Sequence, residues 1–195
     1  MRWRQLLVTL LFLWPSAAHA DWLVKPWIGF TFGGATTFTE ETEGAEGKHV
    51  ILGVAGGWVG NVFGVGGELA RSGGFFENSS SEDILRSSSL TTLTGDLIIA
   101  APKSAFEYTL RPYAVAGFGL AHVNEQGQQS VNPVSSTLPG VTFGGGAMGF
   151  LNDRFGLSWE LRYFRTVGNR PPRGFSTDAE RVSFWRANMA VVFRY

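Results

Sequence analysis

The chain has 195 residues, no net formal charge at pH 7 and no cysteine, so a disulfide framework and a lipid-modified N-terminal cysteine are both excluded. Charged residues make up 16% of it, well under the roughly 25% usual in soluble domains. Glycine (26 residues) and aromatics (14%) are plentiful, nothing in the charge balance points to a nucleic acid, and past the leader no apolar run approaches the 18 residues of a membrane-crossing helix.

Residues 1–20 read as a secretory leader. Arg2 and Arg4 supply the positive start, Leu6 to Trp14 the short apolar stretch, and Ala18-His19-Ala20 a small-x-small cleavage site. Cleavage after Ala20 is expected to leave a single mature domain over 21–195, beginning at Asp21 and slightly negative because Arg2 and Arg4 depart with the leader. The apolar stretch is short for an uncleaved anchor.

Eight segments then alternate with a period of two, near 22–34, 49–59, 62–72, 89–101, 108–122, 141–151, 155–165 and 182–195. Short turn-forming breaks (Gly60-Asn61, Pro102 to Glu107, Asn152-Asp153-Arg154) alternate strictly with long polar stretches near 35–48, 73–88, 123–140 and 166–181. Outer-membrane barrels sort their connections in this way, with short turns on the periplasmic side and long loops outside. The final segment, Trp185 to Tyr195, carries Met189, Val191, Phe193 and Tyr195 on one face and finishes on an aromatic. The expectation is therefore a single eight-stranded antiparallel up-and-down transmembrane β-barrel.

Alternation divides each strand into two faces, and lipid decides which is inside. A charge facing hydrocarbon at mid-depth costs roughly 2–4 kcal/mol, so Glu68, Asp96, Glu160 and Arg162 are expected to point inward. An eight-stranded barrel is just wide enough for side chains to fill. The inward set mixes small residues (Gly29, Gly33, Gly64, Gly66, Gly117, Gly119, Gly144, Gly146) with large ones (Trp27, Arg111, Tyr113, Arg162, Arg186). The expected polar interior sets Lys25, Arg111, Arg162 and Arg186 against Glu68, Asp96 and Glu160. That network reads as a plug; a gated solute path would need a second arrangement of the same charges. Aromatic belts are expected from Trp58, Phe155, Phe193 and Tyr195 on the periplasmic side and from Phe32, Tyr163 and Trp185 on the outer side.

Three passages carry a family likeness. Arg111-Pro112-Tyr113-Ala-Val-Ala-Gly117-Phe-Gly119 resembles the P-Y-x-x-x-G-x-G strand of small outer-membrane barrels of the OmpA-like and opacity-type superfamily. The stretch from Phe143 to Tyr163, with its glycine-rich strand, Asp153-Arg154 turn and E-x-R-Y ending, resembles the hairpin that follows. The last strand resembles the signal read by the barrel assembly machinery, carried here by Met189, Val191, Phe193 and Tyr195. The resemblance implies fold, outer-membrane location and assembly with periplasmic chaperones, and lipopolysaccharide or a host or surface ligand as partner. It does not fix an activity.

Chemical alternatives are thinner. An outer-membrane lipid-modifying hydrolase needs a nucleophile beside a base, and the mature chain has only His49 and His122, neither within an H-x-S pairing. A soluble lipocalin-like carrier would need its charged faces outward. No residue spacing matches a zinc or calcium site, and no cofactor is expected. Gly117-x-Gly119 lacks the third glycine of a dinucleotide fingerprint. The first long loop is acidic (Glu40, Glu41, Glu43, Glu46 against Lys48) and the last is basic (Arg165, Arg170, Arg173, Arg181 against Asp178 and Glu180). Barrel closure would make them neighbours, able to attract each other or, through the arginines, to meet lipopolysaccharide phosphates. The reading is thus a non-enzymatic outer-membrane barrel with a structural or surface-interaction role.

Overall fold

The computed structural model describes residues 21–36, 49–73, 87–106, 110–126, 134–167 and 182–195. Eight strands account for nearly all of them: β1 (Asp21–Thr36), β2 (His49–Val59), β3 (Phe63–Gly73), β4 (Ser87–Ala100), β5 (Arg111–Gln126), β6 (Val134–Phe150), β7 (Phe155–Thr166) and β8 (Val182–Arg194). One helical turn, α1 (Lys103–Phe106), lies between β4 and β5. Each strand pairs antiparallel with its chain neighbours, and β8 pairs with β1, so the sheet closes as an up-and-down barrel without a free edge strand.

The stagger follows from the ladders. A walk from Asp21 through Val59, Gly64, Ile98, Val115, Gly144, Arg162 and Arg186 re-enters β1 at Thr31, ten residues along. With eight strands, that shear tilts them by about 40° from the barrel axis. Unrolled on this lattice, the outward apolar residues occupy a band about 25 Å tall, the height of a hydrocarbon layer. Outward residues such as Leu97, Phe118, Phe143 and Leu161 are exposed, whereas their inward neighbours Asp96, Thr142, Glu160 and Arg162 are buried.

The tight turns gather at one end of the barrel, each closed by local hydrogen bonds. Asn152 accepts from the backbone N–H groups of Arg154 (2.9 Å) and Phe155 (2.8 Å). Gly60 N–H donates to the Phe63 carbonyl at 2.8 Å. Asp21 meets Lys103 Nζ at 2.8 Å, which ties the first strand to the β4–β5 turn.

Two features differ from the sequence expectation. β5 and β6 run beyond residues 122 and 141, to Gln126 and from Val134, so their connection is shorter than the polar composition suggests. Above the apolar band no lipid enforces alternation, and Ser136, Thr137 and Asn124 pair as readily as leucines would. Pro139 fits this stretch because its carbonyl accepts from Val167 N–H at 2.7 Å. Its missing N–H points the same way, towards the end of β7, where the ladder stops at Thr166. The second difference is Gly33. A bulge between Phe32 and Ala35 in the β1–β8 ladder shifts the phase, so Gly33 is exposed at φ 57° and Gly34 turns inward. The left-handed backbone at this bulge is one a glycine adopts without strain.

Candidate functional site

The barrel interior is built in three layers. At the turn end Leu23, Val59, Ile98, Tyr113, Met148 and Val192 pack together. At the loop end Leu90, Ala121, Val123, Phe164, Val182 and Phe184 do the same, with the Phe164 and Phe184 rings stacked at 5.4 Å. Between these apolar layers lies a compact ionic one.

Five charged side chains form that middle layer, each under 10% exposed. Arg186 grips Glu68 with two hydrogen bonds, Nη1 to Oε1 at 2.6 Å and Nη2 to Oε2 at 2.9 Å. Arg162 donates through Nε to Glu160 Oε1 and through Nη1 to Asp96 Oδ2, both at 2.8 Å. Each arginine also approaches the other's carboxylate: Arg162 Nη1 lies 3.8 Å from Glu68, and Arg186 Nη2 lies 3.4 Å from Glu160. Tyr113 Oη donates to Glu160 Oε2 at 2.9 Å, occupying the second carboxylate oxygen. Arg162 and Arg186 face each other directly across the β7–β8 ladder. That like-charge pair stands because the carboxylates of β3, β4 and β7 lie around it. The Arg186 guanidinium also stacks over Trp27 at 4.2 Å.

Not every expected member joins. Lys25 is half-buried, with its ammonium 5.1 Å from the Tyr113 ring centre, at the lower margin of the cluster. Arg111 stands apart, which corrects its placement in the network. It occupies the first position of β5, level with the turns, and donates to the carbonyls of Ala101 (2.6 Å), Gly60 (3.0 Å) and Asn61 (2.8 Å). A guanidinium at that level finds turn carbonyls within reach, and the carboxylates lie several residues higher.

Two small voids flank the ionic layer. Below the ionic layer a void of about 20 Å³ touches Lys25, Asp96, Tyr113, Glu160 and Arg162, room for about one water molecule. Above it a void of about 10 Å³ touches Glu68, Thr94, Thr142 and Arg186. The sequence reading missed the apolar layers that bracket the charges. Their signal lies in the inward phase of Leu90, Val123, Phe164 and Phe184, which share a face with the charges.

The model of the outer membrane protein beta-barrel domain matches residues 6–189 of this chain. The protein belongs to the outer-membrane β-barrel family. Solved barrels of similar fold include Neisserial surface protein A (13% identity, TM-score 0.59, 88% of this chain and 97% of that one). The N-terminal barrel of OprF from Pseudomonas aeruginosa aligns at 16% identity and TM-score 0.52 over 90% and 97%. Ail of Yersinia pestis, solved with the heparin analogue sucrose octasulfate, aligns at 12% and 0.51 over 89% and 98%. At these identities the likeness is one of fold. A search among curated proteins finds no significant match.

In this family of barrels the tight turns face the periplasm and the β1–β8 outer surface faces lipid. The outward apolar face is incompatible with a soluble lipocalin-type carrier. Met189, Val191 and Tyr195 point to lipid, and Phe193 packs edge-on against Phe155 at 5.3 Å. Trp22 and Phe63, exposed at the same level, extend the periplasmic belt beyond the residues expected. On the outer side Phe143, Tyr163 and Trp185 form one ring cluster, with centroids 5.0–6.3 Å apart. His49 and His122 lie on different strands at the outer end. His122 projects outward, its Nδ1 2.9 Å from Thr137 Oγ1. Every carboxylate with a described side chain (Asp21, Glu68, Asp96, Asp153, Glu160) sits inside the barrel or at the periplasmic turns, so none backs that imidazole as a hydrolytic triad requires. The leader with Ala18 and Ala20, and the charged loop residues Glu40, Glu41, Glu43, Glu46, Lys48, Arg170, Arg173, Arg181, Asp178 and Glu180, lie outside the described residues.

Proposed function

We propose that this is a non-enzymatic integral protein of a Gram-negative outer membrane, closed to solutes, with a structural or surface-interaction role carried by its loops. The observation that supports closure is the ionic layer of Glu68, Asp96, Glu160, Arg162 and Arg186, bracketed by apolar layers and flanked by voids of about 20 and 10 Å³. A solute would have to wet two apolar constrictions and break the buried ion pairs between them. On this reading the chain is exported by a leader cut after Ala20. Met189, Val191, Phe193 and Tyr195 then present the lipid-facing strand that periplasmic chaperones and the assembly machinery read. Lipids and lipopolysaccharide surround the barrel, and a host or surface ligand meets the loops; Ail, a barrel of similar fold, was solved with a sulfated sugar.

The test is swelling of liposomes containing the refolded, heat-modifiable protein in an isotonic pentose. Swelling no faster than that of protein-free liposomes is expected. Rapid swelling that rises with protein content would overturn the plug.

A further inference from the structure

The outward surface changes character at its outer rim. Within the membrane band every described outward side chain is apolar, aromatic or absent. Above it, Arg71, Thr91, His122 and Thr137 stand directly opposite one another on four successive strands, β3 to β6. Strand spacing makes this row about 14 Å long. Across β7, β8 and β1 the rim is mainly aromatic, lined by Phe32, Tyr163 and Trp185, with Arg165 exposed one outward position above Tyr163. Arg71 is exposed, next to Leu52 across the β2–β3 ladder and one outward position above Leu69, which is itself exposed to lipid. Its stem therefore lies along hydrocarbon and its guanidinium at the level where hydrocarbon ends. No described carboxylate reaches this rim, so the protein's own described residues supply no counter-charge there.

We propose that the row Arg71–Thr91–His122–Thr137 binds the phosphorylated headgroup of an outer-leaflet lipid. A guanidinium fork matches two oxygens of a phosphate and the Thr91 hydroxyl beside it can donate to a third, while His122 and Thr137, two and three strands away, can meet the rest of the headgroup. Position selects a lipid over a free ion, because a phosphate held here carries its acyl chains down over Leu69, Leu93 and Leu120, which are outward and exposed just below. The inference rests on the outer-membrane orientation given above.

Native mass spectrometry of the full mature protein, refolded and checked for heat-dependent gel mobility, tests it with bisphosphoryl lipid A as the probe. The wild type should retain one lipid. Arg71→Gln combined with His122→Gln should lower its occupancy about tenfold, a change on the scale of one lost charge-assisted contact. Arg165→Gln, outside the row, should leave it within about twofold. Dephosphorylated lipid A should be retained far less, and millimolar inorganic phosphate should not displace the lipid. Equal retention by the double variant, or equal retention of the dephosphorylated lipid, would sink the proposal. Displacement by inorganic phosphate would replace the lipid site with one for free phosphate. Loss of heat-dependent mobility in the wild type would instead strike at the barrel reading itself.

Discussion

Glu160 is the residue on which the ionic layer turns. Its two carboxylate oxygens receive Arg162 Nε, Tyr113 Oη and the more distant Arg186 Nη2, so three donors from three strands converge on one group. Glu160→Ala leaves those donors without their acceptor in a site too narrow to hydrate freely, and breaking a buried pair in this way costs about 3–5 kcal/mol. Urea unfolding of the refolded protein in detergent, followed by tryptophan fluorescence, should show a loss of that size, while Asp153→Ala at the exposed turn should leave the midpoint unchanged. A Glu160→Ala midpoint equal to the wild type's would mean that the pairs contribute nothing net. The face on which these charges sit follows from alternation and the exclusion of charge from lipid. Which carboxylate meets which arginine does not, because it depends on a ten-residue stagger that no local pattern encodes. Arg111 illustrates the limit: by pattern it equals Arg162, but its place at the start of β5 hands it to the turn carbonyls.

At the scale of the strand, alternation was readable wherever lipid imposes it and faded where lipid ends. The strands β2, β3 and β7 match their expected spans within a residue, whereas β5 and β6 run on past the apolar band through serine, threonine and histidine. The bulge at Gly33 was equally hidden, since an inserted residue leaves period-two sequence intact on either side of it. Close packing between strands was hidden too. The Trp27 indole of β1 lies over Gly53 of β2, and a Cβ at Gly53 would collide with the ring and with the Leu69 carbonyl at 2.7 Å. Gly53→Val should therefore displace Trp27 from beneath Arg186 and destabilise the barrel by about 1–3 kcal/mol, as overpacking does. Gly56→Ala supplies the contrast, for its Cβ would point outward and meet nothing nearer than a carbonyl at 3.8 Å. Gel mobility against temperature should show an earlier unfolding step for Gly53→Val and none for Gly56→Ala; matching profiles would refute the packing argument.

For the whole molecule, the three interior layers act in series, and conduction through such a path is set by its least permeable section. Removing charge from the middle layer would leave the apolar layers at both ends intact: Leu23, Val59, Met148 and Val192 towards the periplasm, and Leu90, Val123, Phe164 and Phe184 towards the outside. Apolar constrictions exclude water and ions by dewetting, without any specific contact to the solute. Opening the upper layer alone would expose a layer whose charges are still paired in salt bridges. Two variants separate these contributions in planar bilayers: Arg162→Ala, which opens the ionic layer, and Phe164→Ala with Phe184→Ala, which opens the upper apolar layer. Each should give a trace indistinguishable from the wild type, with no discrete current steps, provided the variant protein still shows heat-dependent mobility. Steps from Arg162→Ala alone would identify the ionic layer as the sole seal. Steps from the phenylalanine pair alone would show instead that ions cross the paired charges and the lower apolar layer readily, and that closure resides in the upper apolar layer.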